Sequence, residues 1–170
     1  MDPLDNKFML WALEQAQLAL REDELPVGAI VVLGGEVWGV GRRTAAGNTR
    51  LDHAEIGALR QALDRNYTLG RSMTIYTTLE PCVMCFGALL NSRIGRIVYA
   101  LEDPYGGATH FKSTDMPLRN QSEFPLVVGG VLRSEVCDVF REYFRTTKSE
   151  YWSSHPENPL VKICTHDENS

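Results

Sequence analysis

Two short apolar runs, Ala29-Ile30-Val31-Val32 and Val37-Trp38-Gly39-Val40, stand on either side of Gly34-Gly35. Glycines there supply the positive backbone angles of a two-residue turn, so the segment predicts a β-hairpin. What flanks the hairpin narrows the fold further. Phe8, Trp11, Ala12, Ala16, Ala19 and Leu20 recur at helical spacing until Pro26-Val27-Gly28 breaks the pattern, which predicts a first helix over 5–21. After a polar loop over 42–51, Ala54, Ala58, Leu59 and Ala62 predict a second helix that starts near Asp52. Met73-Thr74-Ile75-Tyr76-Thr77 is β-branched and aromatic and reads as a strand. Pro81 then takes the first position of a third helix, continued by Val83 to Leu90. Further strands are expected at 96–100 and 126–128, a loop at 104–109, and a last helix over 134–147. Strands alternating with helices after an opening hairpin predict an α/β sheet layered by helices, with parallel crossovers in its second half.

A chain of 170 residues without repeats or low-complexity linkers is expected to form one domain over 1–148, followed by a polar C-terminal tail over 149–170. The formal charge of −5 disfavours a protein whose whole surface grips phosphates and still allows a local basic groove. The opening Met1-Asp2-Pro3-Leu4-Asp5 has the form of neither a signal nor a transit peptide, and the longest apolar stretch, 25–33, is too short to span a bilayer. A cytoplasmic protein is expected. In a reducing compartment a close cysteine pair such as Cys82 and Cys85 is metal-binding or catalytic in preference to a disulfide.

His53-Ala54-Glu55 opens the second expected helix, and Pro81-Cys82-Val83-Met84-Cys85 opens the third. A helix start carries unpaired N–H groups and partial positive charge, which favours thiolates. Imidazole and two thiolates make the three-ligand set of a catalytic zinc site, in which the fourth position is left to water whose pKa the metal lowers toward about 7. Glu55, two residues from His53, is the carboxylate placed to take up and pass on protons. Each motif alone has a blander reading. Asp52-x-x-Glu55 could be a capping box, and a lone Cys-x-x-Cys a redox pair or half of a structural zinc site. No second Cys-x-x-Cys exists to complete a four-cysteine site, and Cys137 and Cys164 stand apart in sequence. Joined in this order, H-x-E and P-C-x-x-C form the known signature of zinc nucleobase deaminases.

Around these motifs, Glu24-Leu25-Pro26-Val27-Gly28-Ala29, Asp52-His53-Ala54-Glu55-Ile56, the run from Tyr76 to Cys85 and Ser92-Arg93-Ile94-Gly95-Arg96-Ile97-Val98 resemble the bacterial tRNA-specific adenosine deaminases. The likeness runs from about Phe8 to Ala100 and thins toward Phe144. It implies a cytidine-deaminase-like fold, a three-layer α/β/α sandwich on a mixed five-stranded sheet. It also implies a homodimer, zinc at His53, Cys82 and Cys85, one ion per subunit with a catalytic water, and proton shuttling by Glu55. Val27 and Ala54 would lie against the substrate, Ala54 presenting its backbone to the base. The substrate expected is an amino-purine or related amino-heterocycle. The wobble adenosine of a tRNA anticodon loop is closest by motif, and a free nucleobase or nucleoside, as in guanine or cytosine deaminases, is the alternative.

Three departures bear on that choice. Arg43 stands where relatives place an Asn that reads the base, and Arg has donors only. Either Asn48 replaces that Asn, or Arg42 and Arg43 face solvent. Glu102 and Asp103 bring negative charge to a segment that borders RNA in the tRNA enzymes. Arg141, Arg145 and Lys148 form either a basic stripe on the last helix or a solvated face paired with Asp138 and Glu142. Trp152 could cover the site, pack on a partner subunit or anchor the tail, and His110 is a candidate substrate contact. Two rivals of other classes remain: a non-catalytic zinc subunit that partners an active one, and a redox module built on Cys82 and Cys85.

Overall fold

A computed structural model of the chain describes residues 3–44 and 50–165, with the side chains of 67–69 left out. The element order is α1 (Pro3–Arg21), β1 (Gly28–Leu33), β2 (Glu36–Arg42), α2 (Ala54–Arg65), β3 (Met73–Leu79), α3 (Val83–Asn91), β4 (Arg96–Leu101), α4 (Leu118–Gln121), β5 (Leu126–Val128), α5 (Arg133–Thr146), α6 (Glu150–Ser154) and α7 (Pro159–Thr165). The strands form one sheet in the order β2-β1-β3-β4-β5. The hairpin pair and β1 against β3 are antiparallel, whereas β4 runs parallel to both β3 and β5. This is the mixed five-stranded sheet that the resemblance implies, with the opening hairpin and the parallel crossovers of its second half as the strand–helix alternation predicts. Gly34 and Gly35 make the hairpin turn at φ 59° and 85°.

Helices cover both faces, α1 with α5 on one side and α2 with α3 on the other. The α1 stripe is rotated slightly from its expected position. Phe8, Met9, Ala12, Leu13, Ala16 and Ala19 are buried, while Trp11 is 40% exposed and meets Phe8 edge-on. α1 is fastened to the sheet by a buried charge. Asp5 accepts two hydrogen bonds from the Arg96 guanidinium, at 2.6 and 2.7 Å, and one from the Tyr76 hydroxyl at 3.0 Å.

On the opposite face, α2 lies so close to β2 that a Cβ on Gly41 would sit 2.0 Å from the Ala54 carbonyl oxygen. That contact sets the height of the α2 N-terminus over the sheet. Gly41→Ala is therefore expected to destabilise the protein by about 1–3 kcal/mol through overpacking, read as a lowered thermal midpoint. An unchanged midpoint would mean that α2 lifts freely.

The polar end beyond Ser149 folds back as two short helices. Leu160 and Cys164 of α7 are buried, the Arg141 guanidinium donates to the Cys164 carbonyl at 2.8 Å, and the Cys137 thiol to that of Ile163 at 3.7 Å. Arg141 also pairs with Asp138, so one residue of the expected stripe is taken up by its own helix and by α7, and Lys148 lies beyond the end of α5. Trp152 of α6 packs on Phe144, with ring centroids 5.2 Å apart.

Candidate metal centre and substrate cavity

Two helix N-termini converge at one end of the sheet. His53 is the N-cap of α2 and Cys82 the N-cap of α3, both with extended backbone and neither using its side chain to cap. The helices thus begin two residues later than Asp52 and Pro81 suggest. Asp52 does not cap α2, so the capping-box reading of Asp52-x-x-Glu55 fails. Both N-cap side chains are left to face each other. Cys85, one turn into α3, joins them from the buried face.

The His53 Nδ1 atom lies 3.6 Å from the Cys82 sulfur and 3.5 Å from the Cys85 sulfur. Zinc bonded tetrahedrally at about 2.3 Å to sulfur and about 2.0–2.1 Å to nitrogen separates such ligand atoms by about 3.6 Å, so the three groups fit the ion. The ligand atoms all lie within 4.8 Å of one another, and no other group of three or more His, Cys, Asp or Glu side chains among the described residues is arranged to hold a metal. The hydrogen bond from the Cys85 thiol draws Cys82 down toward the thiolate that a metal requires, and the same bond pushes Cys85 up.

Glu55 points into this site from the first turn of α2. It is only 3% exposed, and its Oε2 is buried without a hydrogen-bond partner. Loss of water around the carboxyl pushes it up to about 7, where it both accepts and releases protons near neutral pH. A buried, unpartnered carboxylate oxygen beside a three-ligand cluster costs stability and is suited to proton transfer.

A cavity of about 130 Å³ opens over the cluster. Val27, Arg43, Ala54, His53, Glu55 and Cys82 all lie on its wall, which brings six of the seven expected site residues to one space, with Cys85 just beneath. The Arg43 amide donates to the Val27 carbonyl at 2.9 Å, and Thr78 ties the start of β1 to β3 through Gly28 and Pro26. Arg42 and Arg43 part company: Arg42 pairs with Glu22 at 2.8 Å, while Arg43 turns to the cavity. Asn48 lies outside the described residues. His110 is exposed, stacks on Phe111 and does not line the cavity.

Glu80 and Asp103 also line the cavity, and neither is picked out by motif. Glu80 accepts from the Thr109 amide and hydroxyl, at 2.9 and 2.6 Å, and from the Asp103 amide at 3.0 Å, which pins the 103–109 loop across the β3–α3 turn. The one signal for it in sequence is an acid immediately before the Pro-Cys step. Glu102 pairs with Arg133, which offsets part of the negative charge expected there, while burial raises Asp103 above the usual carboxylate range.

Comparison with known proteins adds an independent line. Residues 4–134 match the family model of the MafB19-like deaminases. The chain is similar to the tRNA-specific adenosine deaminase of Agrobacterium fabrum (strain C58), 37% identical over 143 residues that make up 81% of this chain and 92% of that protein. Among solved structures it resembles one from work on A-to-I editing by tRNA:A34 deaminases at the wobble position, with a TM-score of 0.63 and 36% identity over 78% of this chain and 98% of that one. It also resembles the guanine deaminase of Nitrosomonas europaea, with a TM-score of 0.69 and 25% identity over 84% of each chain.

Proposed function

Since the chain belongs to the MafB19-like deaminase family, we propose that His53, Cys82 and Cys85 hold one zinc ion per subunit and that Glu55 moves the protons of a hydrolytic deamination. The protein is a deaminase, a hydrolase that releases ammonia. The observation that carries the residue assignment is the buried, unpartnered Oε2 of Glu55 on the same cavity wall as the His-Cys-Cys cluster. Bound zinc supplies a Lewis acid that makes water acidic enough to give up a proton near neutral pH. With the metal bound, Glu55 would take one proton of the attacking water at Oε2 and deliver it to the ring nitrogen, then carry the remaining hydroxyl proton to the departing amine. Val27 holds one face of the heterocycle, the buried Ala54 presents its backbone at the ring edge, and Arg43 contacts the rim. The carbon that carried the amine ends with an oxygen from water, and ammonia leaves.

The substrate is an amino-purine or related amino-heterocycle. The relatives' names support the wobble adenosine of a tRNA anticodon loop. A specific observation supports the second reading, a free base or nucleoside: Trp152 and Tyr151 of α6 share a second cavity with Leu25 and Arg43, close beside the first. The working unit is a homodimer, a reading supported by the large apolar side chains left exposed at Val83, Leu118 and Leu126. No helix among the described residues is long and apolar enough to cross a membrane, which accords with work in the cytoplasm.

The test is ammonia release by the zinc-loaded protein across free bases, nucleosides, other amino-heterocycles and an adenosine-containing anticodon stem-loop. At least one is expected to turn over. Chelation is expected to bring the rate to background and added zinc to restore it. Turnover that survives complete metal removal would overturn the metal assignment, and thiols that cycle with a disulfide reductant while no substrate turns over would favour the redox reading.

A further inference from the structure

We propose that Cys137 and Cys164 form a modification site, a dithiol that a hydroperoxide oxidises to a disulfide, and that the bond fastens α7 to α5 when it closes.

The two cysteines lie 27 positions apart in sequence, and the fold brings them into one buried cluster. Cys137 is on the buried face of α5 beside Val136 and Phe140, and Cys164 is in the last turn of α7. They are 3% and 0% exposed, and both are free. The Cys137 sulfur lies 3.7 Å from the Ile163 carbonyl oxygen, against the peptide that leads into Cys164. One turn further along α5, the Arg141 guanidinium holds the Cys164 carbonyl at 2.8 Å. Hydrogen bonding with the Cys137 thiol, and then burial, pushes the Cys164 thiol up, so the two thiols meet across the contact between the helices. Against that rise, the charges of Arg133 and Arg141, one turn either side of Cys137, favour the thiolate. One buried cysteine packs as a small hydrophobe; two that face each other across a helix contact are also one bond from a covalent staple. Neither belongs to the His-Cys-Cys cluster, which α2 and α3 carry on the other face of the sheet.

A covered thiol is inert. α7 has only seven residues and buries Leu160 and Cys164, so a local opening that leaves the sheet intact uncovers both sulfurs. In the opened state the Cys137 thiolate attacks the O–O bond of the hydroperoxide. Sulfenic acid forms, and the proton that Cys137 gave up leaves with the alcohol, or with water where the oxidant is hydrogen peroxide. The Cys164 sulfur then attacks the sulfenic sulfur; the S–O bond breaks, the S–S bond forms, and the Cys164 proton leaves with the hydroxide as a second water. Two electrons pass from the dithiol to the peroxide. The closed loop contains α6, whose Tyr151 and Trp152 border a cavity of about 420 Å³ that shares Leu25 and Arg43 with the cavity over the metal cluster. The cross-link removes chain entropy from the opened state, which slows the departure of α7 and steadies that wall.

The test uses the full chain with zinc bound, first reduced and then treated with hydrogen peroxide. Peptide mapping without reductant is expected to find a Cys137–Cys164 cross-link at unchanged zinc content, and dithiothreitol is expected to remove it. The closed form is expected to melt about 5–10 °C above the reduced form. Amide exchange over 159–165 is expected to slow at least about tenfold. Cys137→Ala and Cys164→Ala should each lose both shifts. Mapping and exchange are read on the natural chain, so they decide the matter even where a variant folds poorly. Oxidation of Cys137 to sulfinic acid with no cross-link would overturn the proposal, as would oxidation confined to Cys82 and Cys85 with loss of zinc. A cross-link that moves neither the midpoint nor the exchange would overturn the fastening of α7.

Discussion

Glu55→Gln is expected to slow ammonia release by roughly 10²–10⁴-fold, the usual worth of a positioned general acid–base group. Gln fills nearly the same volume and keeps an acceptor but takes up no proton. Stability is expected to hold or rise, because the substitution replaces a buried carboxylate whose Oε2 lacks a partner and whose burial already pushes it up to about 7. Zinc content is expected to stay at one per chain, since His53, Cys82 and Cys85 are untouched. Rate, thermal midpoint and metal content measured on the same preparation check all three. A variant that keeps a tenth or more of the activity would remove Glu55 from the mechanism. If the natural protein also released no ammonia, the non-catalytic zinc subunit would take the lead.

The largest effect on stability is expected at Asp5. Asp5→Asn should cost about 3 kcal/mol, the lower end of the range for breaking a buried ion pair because Arg96 is still 25% exposed. With a chain of this size that corresponds to a thermal midpoint lower by roughly 6–12 °C. The Asn amide would turn a donor toward the guanidinium where the carboxylate now accepts two bonds. The pH dependence gives the effect its signature. Hydrogen bonding from Arg96 holds the Asp5 carboxyl below its ordinary value, and Tyr76, buried beside it, is pushed up to about 12. The stabilisation is therefore complete above the unfolded pKa of about 3.9 and is lost as pH falls through the lower native value. Denaturant titrations at pH 7 and below pH 3 should show the gap between wild type and variant narrowing in acid. A gap that stays constant would mean that the charge on Asp5 is not what holds α1.

Much of the fold is legible because its signals are local. The turn glycines at 34 and 35, the β-branched run at 73–77 and the spacing of Ala54, Ala58 and Ala62 each act within a few residues, and the corresponding elements form. The His-Cys-Cys group is legible for the same reason: its three side chains occupy two helix starts, and helix starts leave marks in sequence. The α1 face is less certain from periodicity, because Met9 and Leu13 border the same arc as Trp11 and Leu20, and packing chooses between them. The helices at 150–154 and 159–165 are too short to show a period, and Cys164 is fixed by α5 residues that lie 23 to 26 positions from its own turn. Glu80 escapes notice for a related reason. Its partners Asp103 and Thr109 lie 23 and 29 residues on, and a hydrogen bond across that distance leaves no pattern.

The two short C-terminal helices also bear on how the protein could be altered. α6 is suspended between two anchorages, Trp152 on Phe144 at one side and α7 on α5 at the other, with Asn158 buried between them. Such a stretch behaves as a replaceable cassette. Residues 153–157, between Trp152 and the buried Asn158, could be exchanged for other sequences of equal length while both fastenings stay in place, so this stretch of surface becomes adjustable separately from the rest of the fold.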